Sequence, residues 1–470
     1  MLFDTPVYFA FLGIVVLLYW RLGLRRQNIL LLAASYAFYG WWDWRFLTLI
    51  ATSTGVDYFC ARAIAASENP ERRKLLLVFS LVVNLTFLGV FKYFNFFADS
   101  LHAALQTIGF EAPMATLTIL LPPGISFYTF QEVAYIVDVY HRRLKPADSL
   151  LDYGLFISLF PHLVAGPIQR PSHLLPQVEQ PRVFRHGAFF DGVVLILSGL
   201  FRKCVVADNC ALIANAAFNG RLGEPSLFVV ALGAYAFAWQ IYGDFSGYTD
   251  IARGSAQLLG FHFMLNFRQP YLATSLQDFW HRWHMSLSTW LRDYLYIPLG
   301  GSRQGEAKAH RNLLATMLLG GLWHGANWTF VVWGAIHGAA LSAGRRFRRA
   351  IDAREADRPV WRVWLARGVT FHLVCLTWIF FRAPSLGDAM SFLAGLGAVA
   401  WRPEFFTAFF MLAFFTIPLF IVDLYLEGSR EEYPLAASFE PCRVAVACGF
   451  LFAVMFFSAS EISAFLYFQF

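Results

Sequence analysis

Stretches of about 20 apolar residues recur from one end of the chain to the other, and they limit the possible folds more than any other feature. A helix of this length crosses the hydrocarbon core of a bilayer. The strict alternation of apolar and polar residues that marks membrane β-barrel strands is absent. We therefore predict an all-α, polytopic membrane protein with roughly 10 to 13 transmembrane or re-entrant helices. The clearest apolar stretches are residues 7–20, 29–42, 47–66, 75–97, 151–166, 193–218, 227–242, 313–322, 328–343, 369–381, 405–426 and 444–457.

The charged residues are few and are concentrated between the apolar stretches. Only 14% of the 470 residues are charged, whereas soluble domains carry about 25%. The net charge of +6 does not indicate nucleic-acid binding, because short basic segments beside apolar ones are typical of cytoplasmic loops and of contact with anionic lipid headgroups. We predict the lipid bilayer as a partner and no nucleic acid. The basic segments are residues 21–26, 72–74, 141–145, 303–311 and 345–362.

Two regions interrupt the pattern of simple spanning helices. Residues 120–140 contain a Pro-Pro-Gly sequence at 122–124, which predicts that a helix starts just after it. Residues 266–301 mix aromatic with charged side chains, so we predict a re-entrant or interfacial element there. No polar stretch is long enough for a soluble domain. We expect residues 1–470 to form a single transmembrane domain.

Metal and redox sites are not predicted. The six cysteines are scattered and none belongs to a CxxC pair. His281 and His284 are three residues apart, which on one helix places them on a common face, and Asp278 lies three residues earlier. However, the HEXXH motif and the histidine clusters of membrane di-iron oxidases are missing, so we disfavour that class of enzyme.

His324 is the strongest candidate for a catalytic residue. It lies in an otherwise apolar, aromatic or small segment, residues 318–337, where a polar side chain is costly and usually lines a cavity that serves a function. Glycines at 320, 321 and 325 thin the helix surface around it. An imidazole with an ordinary pKa of about 6.5 is suited to act as a general base on a hydroxyl. The alternative is a histidine that hydrogen-bonds between helices for packing.

Other polar residues in the apolar regions are candidates for structural or binding roles. On a single helix His337 would lie about 20 Å from His324, and the two could form a working pair only if the chain bends, so we predict a structural role for His337. Arg282 and Arg292, expected on the same element as His284, could hold a phosphate-bearing cosubstrate or extend toward lipid headgroups.

A further polar cluster occupies residues 239–253. Gly243 and Gly247 predict a turn or a broken helix there, and Asp244 and Asp250 could orient an imidazole or a substrate hydroxyl. More often such carboxylates cap helices and pair with arginine.

Five motifs together resemble the membrane-bound O-acyltransferase (MBOAT) family, and its alginate-type members in particular. The motifs are PPGISFYTFQ (122–131), AGPIQRP (165–171), YGDFSGYTDIA (242–252), NFRQPYLATSLQDFWHRWHMSLSTWLRDYLYIPLGG (266–301) and LWHGANWTFVVWGAIHG (322–338). The resemblance implies an MBOAT-like ring of helices around a central tunnel. It also implies that His324, in the WHG motif, is catalytic and that His284, in the RWH motif, is functionally important. Further candidates for the substrate or donor tunnel are Trp323, Asn327, Asp278, Arg282, Asp244 and Asp250.

The resemblance also implies a reaction. An acetyl group would pass from a cytoplasmic donor, acetyl-CoA or a related acyl carrier, toward the hydroxyls of an exported, alginate-like polysaccharide. The implied location is the bacterial inner membrane, with periplasmic or membrane-anchored acetyltransferase partners and no bound cofactor. Whether His324 activates a hydroxyl or itself takes the acyl group stays open, as does the identity of the polysaccharide. The alternative is a transporter or flippase for a polysaccharide precursor, in which broken helices line a substrate path.

Overall fold

The computed structural model describes residues 1–110, 120–351, 359–460 and 465–466, with only the backbone for 346–351. Within these ranges the secondary structure is helical, with no strand, so the all-α prediction is confirmed. By contacts, the chain divides into two compact units. One consists of residues 1–192 and 255–264, and the other of residues 193–254 and 265–470. The prediction of one domain over residues 1–470 stays a prediction.

The first unit is built from the N-terminal helices. They are α1 (Pro6–Tyr19), α2 (Leu24–Gly40), α3 (Phe46–Ala66), α4 (Pro70–Leu88), α5 (Phe94–Thr107), α6 (Ile125–Tyr140), α7 (Leu150–Ser158), α8 (Phe160–Leu163) and α9 (Pro171–Glu179). A π-helical turn, Gly89–Tyr93, joins α4 to α5. Helix α6 begins directly after Gly124, whose φ of 78° is readily adopted only by glycine. The predicted helix start after the Pro-Pro-Gly sequence is confirmed.

The second unit contains the remaining helices, two of which also contribute residues to the first. They are α10 (His186–Leu200), α11 (Asp208–Phe218), α12 (Leu227–Leu258), α13 (Leu276–Arg282), α14 (Met285–Leu291), α15 (Glu306–His324), α16 (Trp328–Ile351), α17 (Val360–Arg382), α18 (Leu386–Ala394), α19 (Pro403–Ser429) and α20 (Glu440–Phe457). Two π-helical turns, Phe201–Ala207 and Arg292–Tyr296, follow α10 and α14.

Five helical stretches in the described part of the chain are long and apolar enough to cross a membrane. They are Pro70–Thr107, Leu227–Leu258, Val360–Arg382, Pro403–Ser429 and Glu440–Phe457. Their burial differs sharply: 78% of the most apolar part of α12 is buried inside the protein, against 6% for α20. An apolar helix with so little protein around it is suited to contact with lipid. The chain is therefore a multi-pass membrane protein in which α12 is an interior helix.

The region 266–301 contains no spanning helix. It is divided into α13, α14 and the turn Arg292–Tyr296, and the two helices have seven residues each. Seven helical residues extend only about 10 Å. The predicted departure from a simple spanning helix is confirmed.

Helix α12 corrects one prediction. Gly243 and Gly247 do not break it, since it continues to Leu258. They instead allow another backbone to come close: a Cβ on Gly247 would lie 2.6 Å from the carbonyl oxygen of Gly199, and one on Gly243 would lie 2.7 Å from that of Arg202. Small residues four apart permit this close helix packing in membranes.

Helices α15 and α16 are in even closer contact. A Cβ on Gly321 would overlap the carbonyl oxygen of Phe330, and a Cβ on Gly334 would overlap that of Met317. Since α15 ends in His324, this packing fixes where the imidazole lies.

Gly321→Ala should therefore lower the free energy of unfolding by about 1–3 kcal/mol, because the backbones must separate to admit a methyl group. Thermal unfolding of the purified protein in detergent measures this. Gly368→Ala on α17 is the matched control, because nothing lies within 4 Å of the position that its Cβ would take. Equal losses in both variants would contradict the close packing of α15 and α16.

Candidate active site

His324 is the last residue of α15 and is only 2% exposed. Aromatic rings surround it: ring centroids lie 5.0 Å away for Trp323, 5.2 Å for Trp333 and 5.3 Å for Phe381. Each of these rings meets the imidazole nearly edge to face. The imidazole is therefore held in a defined orientation by rigid neighbours.

His284 lies beside it on a strained piece of backbone. It precedes α14 with φ of 43°, a left-handed conformation that is uncommon for residues other than glycine. Asn266 holds the adjoining residues: its Oδ1 accepts hydrogen bonds from Ser286 N at 3.2 Å and Ser286 Oγ at 2.9 Å, and its carbonyl accepts one from Met285 N at 2.9 Å. Strain that is supported in this way is often found at functional sites.

The two predicted histidines are brought together. Their ring centroids are 6.2 Å apart, and Trp323 contacts both rings, at 5.7 Å from His284 and 5.0 Å from His324. Trp323 therefore bridges the two imidazoles.

A cavity of about 620 Å³ reaches His324. Thr316, Gly320 and His324 are four residues apart along α15, so helical periodicity puts them on one face, and all three line the cavity. Trp333 and Arg345 of α16 line it as well. The buried histidine is thus in contact with a space large enough for a substrate group.

Basic and hydroxyl groups are also part of this cavity wall. Arg292, Arg345 and Tyr296 all line it, and Arg345 Nη1 donates a hydrogen bond to Tyr296 Oη at 3.3 Å. Arg292 Nε donates to Asp293 Oδ1 at 2.7 Å. Arg292 is one of the two arginines predicted as candidates to hold a cosubstrate. It lines the cavity that reaches His324. Arg345 was missed, because in the sequence it belongs to a basic segment interpreted as a loop signal.

His337 has two hydrogen-bond partners. Trp280 Nε1 donates to its Nδ1 at 3.2 Å, and its Nε2 lies 3.0 Å from Thr377 Oγ1. Because the Thr377 hydroxyl donates to the Val374 carbonyl, His337 Nε2–H must be the donor to Thr377. This neutral tautomer ties α13, α16 and α17 together.

Arg282 has a different environment from the one predicted. Its Nε donates to Asp278 Oδ1 at 2.8 Å, and its two terminal nitrogens donate to the Glu427 carboxylate at 2.7 and 3.1 Å. The bidentate pair fixes α13 to α19. The prediction that Arg282 and Arg292 lie on one element is wrong, because the chain bends between α13 and α14.

The same bend corrects a second prediction. His281 and His284 do not share a helix face: α13 ends at Arg282, and His284 is buried whereas His281 is exposed. Within the described ranges, no group of three or more His, Cys, Asp or Glu side chains is arranged to hold a metal ion.

The two aspartates of α12 pair with buried basic residues on the π-helical turn Phe201–Ala207. Asp244 lies 2.9 Å from Lys203 Nζ and accepts a hydrogen bond from Leu466 N at 2.8 Å. Asp250 lies 3.4 Å from Arg202 and lines a separate cavity of about 180 Å³. Neither is among the described residues that line the cavity at His324.

Asn327 and Trp323 differ in their contacts with the two histidines. The Asn327 side chain accepts a hydrogen bond from Thr329 N at 3.0 Å and donates to the Pro384 carbonyl at 2.9 Å, so it stabilises the start of α16. Trp323 packs against both histidines. Sequence reasoning did not single out Asn266, Trp333 or Phe381, although all but Phe381 fall inside the quoted motifs.

Comparison with known proteins identifies the class to which this fold and site belong. The sequence profile described as "MBOAT, membrane-bound O-acyltransferase family" matches residues 143–382. This segment contains both histidines and the cavity described above. The chain belongs to the MBOAT family, and it is an acyltransferase.

Three relatives show which acyltransferases the chain is similar to. The chain is 44% identical to the probable alginate O-acetylase AlgI of Azotobacter vinelandii, over 84% of this chain and 78% of that protein. It is 36% identical to the peptidoglycan O-acetyltransferase of Helicobacter pylori, over 84% and 80%. It is 28% identical to the teichoic acid D-alanyltransferase of Bacillus subtilis, over 55% and 68%. A transporter without acyl-transfer chemistry is therefore disfavoured.

Proposed function

We propose that this enzyme transfers an acetyl group from a cytoplasmic thioester donor toward the hydroxyls of an exported, alginate-like polysaccharide in the bacterial inner membrane. The donor is acetyl-CoA or a related acyl carrier. The observation that carries the proposal is the position of His324, buried at the wall of a 620 Å³ cavity and 6.2 Å from a second histidine. The names of the relatives, which include alginate O-acetylases, favour a polysaccharide acceptor.

In this proposal His324 acts as the general base. As the acceptor hydroxyl attacks the thioester carbonyl, His324 takes the hydroxyl proton. The tetrahedral intermediate then collapses, and the imidazolium returns the proton to the departing thiolate. His284 and Trp323 pack beside His324 and position its imidazole. The ester formed in this step then gives up its acetyl group to a sugar hydroxyl, a second transfer that periplasmic or membrane-anchored partner proteins catalyse.

The charge of the cavity wall supports an anionic donor. Arg292 and Arg345 line the cavity at some distance along the helices from His324, and guanidinium groups suit the phosphates of coenzyme A. The basic segment at residues 303–311 includes the first turns of α15 and favours a cytoplasmic start for that helix. The cavity would then admit the donor from the cytoplasmic side.

Transfer from radiolabelled acetyl-CoA tests the proposal. Inside-out membrane vesicles from cells that express the enzyme with its partner proteins expose the cytoplasmic face. They should incorporate label into polysaccharide, whereas sealed right-side-out vesicles should not. Equal labelling from both orientations would contradict a cytoplasmic donor site.

Arg345→Ala should raise the KM for acetyl-CoA about 10-fold and leave kcat within a few fold, because one charge-assisted contact to phosphate is lost. The measurement is initial-rate kinetics in inside-out vesicles. Arg311→Ala, an exposed substitution on α15, is the control and should not change KM. An unchanged KM in Arg345→Ala would place the donor phosphates elsewhere.

A further inference from the structure

We infer that the indole N–H of Trp333 donates a hydrogen bond to the oxygen of the acyl carbonyl as negative charge develops on it. This inference rests on the proposed acyl transfer and adds a second catalytic residue to His324.

Trp333 lies where such a donor is needed. It is 1% exposed, it lines the same cavity as His324, and the two ring centroids are 5.2 Å apart with an angle of 86° between the ring planes. An acyl group held in this cavity beside His324 therefore also lies beside the indole ring of Trp333.

The N–H of Trp333 has no hydrogen-bond partner among the described residues. Nearby Trp280 differs, because its N–H is used by His337. Burying a donor without an acceptor costs free energy, so an unpaired donor in a native protein calls for an explanation. Because Trp333 lines the cavity, the explanation is that a bound substrate supplies the missing acceptor.

The chemistry of the indole restricts what the partner can be. Tryptophan is a donor only, so its partner must be an acceptor atom. The atom of an acyl donor that gains negative charge is the carbonyl oxygen. When the hydroxyl attacks, the carbon–oxygen π pair moves onto that oxygen, where Trp333 N–H stabilises it. The pair returns as the bond to sulfur breaks, and the proton held by His324 passes to the thiolate.

The ring is held in place before substrate arrives. It stacks on Trp378 at 5.7 Å and 15°, meets Phe381 at 5.4 Å and 73°, and contacts His337 at 4.8 Å. His337 is itself fixed by two hydrogen bonds. A donor that needs no reorganisation is the arrangement that stabilises a transition-state oxyanion most effectively.

Trp333→Phe tests this inference by removing the N–H and keeping an aromatic ring. In inside-out vesicles with labelled acetyl-CoA, kcat should fall about 100-fold while KM changes less than about threefold. Trp283→Phe is the matched control. Trp283 is also fully buried with no partner for its N–H in the described part of the chain, but it is not among the cavity-lining residues.

Two further measurements separate a lost donor from a disturbed structure. Replacing Trp333 with benzothienylalanine, which has sulfur in place of the N–H, should lower kcat as much as Trp333→Phe does. A carbonyl-labelled dethia analogue of acetyl-CoA, with methylene in place of sulfur, should show its infrared carbonyl band at lower wavenumber in the wild type than in either variant.

The outcomes are distinguishable from a failure of the proposed function. Suppose that the wild type transfers acetyl and His324→Ala does not. If the benzothienylalanine variant then keeps the wild-type kcat and the wild-type position of the carbonyl band, only the proposed role of Trp333 is wrong. If wild-type vesicles transfer no acetyl group, the proposed function itself is wrong.

Discussion

Replacing His324 with alanine should lower kcat for acetyl transfer roughly 1,000-fold, which is within the range that a positioned general base contributes. The imidazole borders the cavity and is held by Trp323, Trp333 and Phe381. Alanine leaves no group at this position that accepts the hydroxyl proton. The KM for acetyl-CoA should change little, because the arginines of the cavity wall are untouched. Initial rates in inside-out vesicles, normalised to the amount of enzyme, give both constants.

His372→Ala is the control for this substitution. His372 is an exposed histidine on α17, and its Nδ1 lies 2.6 Å from the carbonyl of Gly368 in its own helix. Its removal should leave kcat unchanged. A His324→Ala enzyme that turns over at more than about a tenth of the wild-type rate would exclude His324 as general base.

Lys203→Ala should cause the largest loss of stability among the substitutions considered. The ammonium group is completely buried and lies 2.8 Å from Asp208 and 2.9 Å from Asp244. Removing it leaves two buried carboxylates facing each other without their shared cation, and breaking a buried ion pair from one side costs about 3–5 kcal/mol. We expect a large drop in the unfolding temperature of the detergent-purified protein and little folded protein in the membrane.

Two comparisons make this result interpretable. Lys308→Ala removes an exposed lysine whose Nζ hydrogen-bonds only to Gln304 among the contacts described, and it should have almost no effect. The triple variant with Lys203→Met, Asp208→Asn and Asp244→Asn removes the charges together and should recover part of the lost stability. If Lys203→Ala unfolds at the wild-type temperature, the buried ion pairs described above are not the native arrangement.

Short-range sequence signals predicted much of the fold. The apolar stretches predicted a multi-pass helical membrane protein, and the Pro-Pro-Gly sequence predicted the start of α6. The cost of a polar side chain in lipid singled out His324, and the family resemblance added His284. These predictions depend on residues that are close in sequence or on patterns that repeat along one helix.

The features that the sequence left open or predicted wrongly depend on contacts between distant segments. Gly243 and Gly247 are compatible with a turn or with close helix packing, and only the neighbouring backbone of Gly199 and Arg202 decides between them. Asp244 has a buried lysine as its partner on another helix, which no local spacing indicates. The bend that separates His281 from His284 depends on the left-handed backbone at His284.

The position of Trp333 at the cavity could not be predicted from the sequence either. The chain has 15 tryptophans, and in the sequence nothing separates one whose N–H is already bonded, such as Trp280, from one that borders the cavity unbonded. That difference arises from the packing of α13 against α16.

The role of His324 in acyl transfer to an exported polysaccharide can be measured in cells with all partner proteins present. The measurement is the O-acetyl content of the surface polysaccharide, released by mild base, in cells that carry His324→Ala at wild-type protein levels. We predict that the released acetate falls to the level of cells lacking the gene. Wild-type acetate from the His324→Ala cells would exclude His324 as the catalytic residue.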